Sequence, residues 1–274
     1  MQATHDCYLY FAGFFLKRFV VIQINLITKS IKKMNKKIIL SLFASLLFLS
    51  QAANAEIKFG DQKNPTATVA FNAGYNSTYV WRGVDQNGGS GAPYVGADLT
   101  TPIGIYLGTW TSGAQGTNYS QEVDIYAGIK KTFGAVTIDL GVIEYRYPQG
   151  DAASTPVNFA EGYVKLTVAP DKAPYTFGLA YFEDDTKGTK AGTKTAQKNY
   201  QEINATYDFG SFQSLISYGQ YKNVTDTTTV TISKSISDIG FALSYIKADS
   251  QDKTYGLAPV RDREFAVFNV SKTF

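Results

Sequence analysis

Glu122-Val123-Asp124-Ile125-Tyr126-Ala127-Gly128-Ile129-Lys130, a break at Phe133-Gly134, then Val136-Thr137-Ile138-Asp139-Leu140-Gly141-Val142-Ile143: this stretch decides the fold. In its first half Val123, Ile125, Ala127 and Ile129 alternate with Glu122, Asp124, Tyr126, Gly128 and Lys130. In its second half Val136, Ile138, Leu140 and Val142 alternate with Thr137, Asp139, Gly141 and Ile143. Successive side chains of a strand point to opposite faces, so a period of two gives each segment one apolar face and one polar or small face. The intervening Gly marks the turn that joins them as antiparallel neighbours.

The same period extends in both directions. Upstream, Val69, Phe71, Ala73 and Tyr75 fall on one parity. Downstream, Val164, Leu166 and Val168 oppose Tyr163, Lys165 and Thr167, while Ile203, Ala205, Tyr207 and Phe209 oppose Glu202, Asn204, Thr206 and Asp208. No segment after Glu56 carries a helical stripe. The connections alternate too. Short junctions fall at Thr101-Pro102, Phe133-Gly134, Ala169 to Pro174, Phe209-Gly210-Ser211 and Ser237-Asp238; longer polar ones fall at Gly83 to Pro93, Ser112 to Tyr119, Pro148 to Pro156, Asp184 to Lys198, Asn223 to Thr227 and Asp249 to Arg261. Brief turns on one rim and extended loops on the other describe an all-β, antiparallel up-and-down transmembrane β-barrel of about twelve strands.

Which face looks outward follows from chemistry. A soluble barrel would have to bury Glu122, Asp124, Lys130 and Asp139 in its core, at a high desolvation cost. A hydrated lumen accepts them, and lipid accepts Phe71, Tyr75, Phe177, Phe241 and Phe268 on the other face. The expected pore-lining residues are therefore Arg82, Asp98, Glu122, Asp124, Lys130, Asp139, Glu161, Lys165, Glu202 and Asp208, with Arg82 near the outer mouth. Tyr79, Trp81, Trp110, Tyr145, Tyr147 and Tyr175, near strand ends, are expected in aromatic girdles at the membrane interfaces.

The ends of the chain fit export. Met34-Asn35-Lys36-Lys37, the apolar run Ile38 to Ser50 and Ala53-Asn54-Ala55 make up a basic region, a short apolar region and a small-residue cleavage site. Together they read as a signal peptide over 34–55, cut after Ala55. Residues 1–33 then form an upstream extension ahead of a start at Met34, residues 56–65 a short periplasmic lead-in, and 66–274 the barrel. Removing 55 of the 274 residues leaves 219, without Cys, His or Met. Seven of 26 Lys and Arg and one of 23 Asp and Glu are lost with it, leaving 19 and 22 and a net charge of −3. The positive balance of the whole chain thus belongs to targeting, and nucleic acid is not an expected partner. At the other end Ala266, Phe268, Val270 and Phe274 share one parity, interrupted by Lys272. A strand closing on an aromatic residue resembles the signal read by outer-membrane barrel-assembly machinery.

Gly74-Tyr75-Asn76-Ser77-Thr78-Tyr79-Val80-Trp81-Arg82-Gly83-Val84-Asp85-Gln86 resembles the opening motif of the TorF porin family of proteobacterial outer-membrane proteins. Similar to the same family are Gly104 to Trp110, Glu122 to Gly128 and Asp139 to Pro148. The resemblance spans residues 74 to 148 and continues more loosely to Phe274. It implies an outer-membrane barrel and carries no substrate and no catalytic residues.

Enzymatic chemistry finds little footing. Barrel hydrolases mostly use a histidine base, and the mature chain has none. Glu122 and Asp124 form a same-face carboxylate pair, which a charged lumen explains without catalysis. Asp85-Gln86-Asn87-Gly88-Gly89-Ser90-Gly91 lacks the Lys-Ser/Thr of a phosphate loop and reads as a surface loop. Glu183-Asp184-Asp185 lacks the spaced Gly and terminal Glu of a calcium loop. No cofactor or metal is expected. Lys187, Lys190, Lys194 and Lys198 form a basic loop suited to lipopolysaccharide phosphates or to drawing anions to the mouth. The expected function is passive diffusion of small solutes through an outer-membrane porin-like channel with a mild cation preference, its partners being outer-membrane lipid and lipopolysaccharide. The alternative is a non-conducting structural or surface-interaction barrel. Oligomeric state is not readable.

Overall fold

The computed structural model describes residues 56–115, 120–148, 158–184, 189–190, 193–194, 199–251 and 262–274. The leader reading over 1–55 lies outside them. Among the described residues seventeen strands follow in order: β1 (Ile57–Gly60), β2 (Pro65–Asn76), β3 (Val80–Trp81), β4 (Val84–Asp85), β5 (Ala92–Thr100), β6 (Ile105–Gly113), β7 (Gln121–Phe133), β8 (Val136–Arg146), β9 (Phe159–Val168), β10 (Tyr175–Asp184), β11 (Thr189–Lys190), β12 (Thr193–Lys194), β13 (Asn199–Asp208), β14 (Gln213–Tyr221), β15 (Thr225–Ile236), β16 (Ile239–Ser250) and β17 (Arg263–Thr273).

Twelve of them close into one antiparallel barrel. Each of β5, β6, β7, β8, β9, β10, β13, β14, β15, β16 and β17 pairs with the next, and β2 completes the ring between β17 and β5. The seam runs from Asn72↔Thr273 to Asn76↔Asn269. It is extended by two backbone bonds: Phe274 N–H donates to Phe71 O at 2.7 Å, and Phe71 N–H to Phe274 O at 3.2 Å. The C-terminal Phe is thus part of the closure, which leaves the wall no unpaired edge there. Beyond the end of β17, β1 covers the remainder of β2 (Ile57↔Val69 to Gly60↔Pro65) as a short additional strand. The lead-in residues therefore contribute to the rim.

Nine to thirteen residues per barrel strand is the length a tilted membrane-spanning strand requires. Alternation sets the two faces. On β8, Leu140 and Val142 are 47% and 60% exposed on the outside, while Asp139 between them and the turn is 7% exposed inside. On β7 and β9 the inward Glu122 and Glu161 are 2% and 1% exposed. The apolar belt faces outward, the arrangement of a membrane barrel.

The tight turns fall where the sequence places them. Ser237 and Asp238, with φ 48° and 64°, form the two-residue link from β15 to β16, since paired positive φ values match the twist of the flanking strands. One junction differs from its reading. Asn223 to Thr227 is expected as a long loop, yet β15 begins at Thr225 and only three residues, with Asn223 at φ 61°, make the turn. Thr225 and Thr227 are β-branched and pair with Ser250 and Ala248, so polarity there marks an inward strand face and not a loop. The basic run from Lys187 to Lys198 lies outside the described residues apart from the backbone pairing of β11 with β12.

Candidate functional site: the barrel interior and its inserted hairpin

The first part of the connection from β2 to β5 folds into the barrel. Ser77 turns the chain at the end of β2: its N–H donates to Phe268 O at 2.8 Å, and its Oγ accepts from Phe268 N–H at 2.9 Å. β3 and β4 then pair as a small hairpin (Val80↔Asp85, Trp81↔Val84), with Gln86 N–H donating to Tyr79 O at 2.8 Å. Arg82 and Gly83, at φ 48° and 79°, form its two-residue tip. This corrects the reading of Arg82 as a residue of the outer mouth; of the surface loop read over 85–91, Asp85 belongs to β4 while Gly88, Gly89 and Ser90 are exposed. On the rim, Val80, Trp81 and Val84 would face water; folded inward they are partly buried.

The tip spans the lumen. Arg82 Nη1 and Nη2 donate to Glu161 Oε1 and Oε2 on β9 at 2.6 and 2.7 Å. The two side chains are 5% and 1% exposed. Tyr145 on β8 donates to the same carboxylate at 3.1 Å. The guanidinium carbon lies 4.2 Å from the Trp81 ring centroid, 4.4 Å from Tyr200, 4.7 Å from Phe182 and 5.3 Å from Tyr221. On the other side Thr225 Oγ1 donates to Arg82 O at 2.6 Å. Gly83 presses on β15 and β16, where a Cβ would lie 2.9 Å from Ala248 Cβ and 3.0 Å from Thr227 Oγ1. Any side chain there would push the tip off the wall, and the positive φ adds strain. Strands β8 to β16 are thereby bridged by a hairpin rooted at β2.

Beside the hairpin, Tyr79 donates to Glu122 Oε1 at 2.8 Å. Its ring meets Trp110 at 5.5 Å, and Trp81 meets Tyr145 at the same distance. Tyr79, Trp81, Trp110, Tyr145 and Tyr147 therefore line the interior and are not girdle residues. Trp110 and Tyr145 share the inward parity of Gly108 and Asp139. Tyr175 alone of the six faces outward, 41% exposed.

Inward tyrosines lie over glycines of neighbouring strands, Tyr94 near the root of the hairpin and Tyr126 and Tyr163 farther toward the tight turns. A Cβ on Gly74 would fall 2.3 Å from the Tyr94 ring, on Gly108 2.2 Å from Tyr126, and on Gly141 2.5 Å from Tyr163. Aromatic cover of strand glycines restores contacts that a bare backbone lacks. It also aims the hydroxyls: Tyr106 donates to Asp139 and Tyr126 to Asp98, which Asn72 also reaches at 3.0 Å. Lys130 Nζ stands 3.9 Å from Asp139. A cavity of about 570 Å³ opens here, lined by Asp98, Tyr106, Tyr126, Lys130, Asp139 and Lys165 among others.

The expected lining residues thus separate by level. Arg82, Glu161, Glu122 and Asp124 sit at the hairpin layer; Asp98, Asp139, Lys165 and Lys130 lie below it. Glu202, held by Tyr200 and Asn204, is partly buried on β13. Asp208 is exposed at the tight-turn end, beside a second cavity of about 460 Å³ with Ser233 and Ser271. Parity misses the hairpin itself and the tyrosine–glycine pairs. The former was signalled by Val80-Trp81-Arg82-Gly83-Val84, an Arg-Gly step flanked by strand formers, and the latter by the Gly and Tyr of the motifs that carry the TorF resemblance.

A model of a bacterial protein family of unknown function, Gcw_chp, matches residues 61–274. The chain belongs to the Gcw_chp family. No curated protein matches it in sequence. Among solved structures, the KdgM porin is similar with a TM-score of 0.50 at 10% identity, over 76% of this chain and 98% of that one. A KdgM structure described as in complex with disordered oligogalacturonate is similar to the same extent. The NanC porin follows at a TM-score of 0.47 and 14% identity, over 75% of this chain and 98% of that one. At such identities the likeness is one of fold: the Gcw_chp chain shares the closed antiparallel barrel of the KdgM structure.

Proposed function

We propose that this Gcw_chp protein is an outer-membrane channel for passive diffusion of small solutes, mildly cation-selective, with the β3–β4 hairpin as its constriction. The observation that supports it is an outward apolar belt around an interior of charged and hydroxyl groups with open space below the hairpin. Of the ten lining residues, Asp98, Glu122, Asp124, Asp139, Glu161, Glu202 and Asp208 are acidic; Arg82, Lys130 and Lys165 are basic. An acid excess in the lumen concentrates cations there and repels polyanions. Oligogalacturonate, named with KdgM, is a polyanion, and this lumen is unsuited to it.

The complete insertion of Arg82 favours a second reading, a barrel that does not conduct and presents its loops. Planar-bilayer recording separates the two. In a salt gradient the channel reading expects discrete steps and a reversal potential of cationic sign. Silence at every voltage supports the structural barrel, and an anionic reversal potential overturns the selectivity.

A further inference from the structure

The groups that surround the Arg82 guanidinium belong to the barrel wall more than to the hairpin. Glu161 lies on β9, Phe182 on β10, Tyr200 on β13 and Tyr221 on β14. Their positions are fixed by ladder pairing, Tyr200 standing directly opposite Tyr221. Tyr145 from β8 holds Glu161 Oε2, and Glu202 holds the Tyr200 hydroxyl at 2.7 Å. Only Trp81 among the four rings travels with the hairpin. The wall therefore carries a buried carboxylate, set among three aromatic faces, that does not need the hairpin for its shape.

That combination selects a particular chemistry. A carboxylate takes a planar guanidinium through two parallel N–H bonds, and ring faces attract a weakly hydrated cation. A small, strongly hydrated ion such as Na⁺ gains little from either. Arg82 fills the place from a backbone at φ 48°, in the left-handed region that side-chain-bearing residues disfavour. The side chain behaves as a ligand delivered on a strained tether.

We propose that the wall formed by Glu161, Phe182, Tyr200 and Tyr221 is a binding site for guanidinium-type organic cations, with Arg82 as its tethered occupant. Solutes of that class would compete with the hairpin for one site, so they would be recognised at the constriction. This deepens the channel reading and rests on it for access to the wall, but the binding itself is measurable without current.

The test is chemical rescue. Arg82→Ala protein, expressed from the full-length sequence and extracted from membranes in detergent, is melted with and without millimolar methylguanidinium, with ethylammonium as a cation of equal charge and no planar fork. The site predicts a rise in melting temperature for R82A with methylguanidinium, a smaller one with ethylammonium, and none for the wild type or for R82A/E161Q. Should R82A not assemble, methylguanidinium is added during refolding, and the heat-modifiable barrel band is expected to return. No rescue in either format, an equal effect of the two cations, or an equal effect on R82A/E161Q overturns the site. A silent bilayer leaves this result untouched, and failed rescue leaves the conductance reading standing.

Discussion

Glu161→Gln keeps the shape of the residue that holds the hairpin and removes its charge. In the native chain two short bonds join Arg82 to a carboxylate that is 1% exposed. Breaking a buried pair on one side costs about 3–5 kcal/mol, because the remaining charge stays buried without compensation. The Gln carbonyl can still accept one bond, which returns about 1 kcal/mol. The hairpin is thus expected to dock about 2–4 kcal/mol less favourably, a shift of roughly 30- to 700-fold in its undocked population. Native-state hydrogen exchange reads this directly. The reporters are Gln86 N–H, bonded to Tyr79 O at 2.8 Å, and Gln115 N–H, bonded to Gln86 O at 2.7 Å. Both amides should exchange faster by that factor, while Phe274 N–H at the barrel seam should not change. Unaltered exchange at Gln86 and Gln115 in a correctly folded E161Q barrel would refute the assignment of the pair as the latch.

Other consequences follow from the same geometry. Leu140→Arg places a charge in the lipid-facing belt and should cost roughly 2–4 kcal/mol if it meets the midplane, whereas Thr137→Arg on the inward face should be tolerated; denaturant unfolding in vesicles compares them, and equal cost contradicts the faces. Gly141→Ala puts a Cβ 2.5 Å from the Tyr163 ring and 2.8 Å from Ala127 O, for about 1–3 kcal/mol of overpacking, readable as a lowered unfolding midpoint. Paired Asp98→Asn and Asp139→Asn substitutions should move the reversal potential toward zero in a salt gradient, and no movement means these acids do not set selectivity. N-terminal sequencing of the outer-membrane protein is expected to begin at Glu56, and a start at Met34 would disprove the cleavage.

Most of the barrel was legible because period two is a local property. Glu122 to Ile143 shows both faces, and lipid outside with water inside assigns them once the desolvation of Glu122, Asp124 and Asp139 is weighed. Ser237-Asp238 and Phe133-Gly134 were readable for the same reason. The interior was less so, because what fills a lumen depends on where a loop goes after it leaves its strand. Val80 to Asp85 has hairpin chemistry, but only the Ser77–Phe268 bonds and the Glu161 partner, 79 residues from Arg82, turn it inward. Trp81, Trp110 and Tyr145 read as interfacial residues because composition near a strand end does not report parity. Asn223 to Thr227 reads as a loop because Thr is polar, while its β-branched carbon suits a strand.

Steady conductance in a planar bilayer, compared between the native chain and a variant in which a two-residue turn replaces residues 80–85 between Tyr79 and Gln86, tests the central claim most directly. A water-filled barrel closed by its own hairpin predicts a small or intermittent current for the native chain and a larger, steady, cation-selective one for the variant. Equal currents, or a variant that folds and still passes nothing, would contradict it.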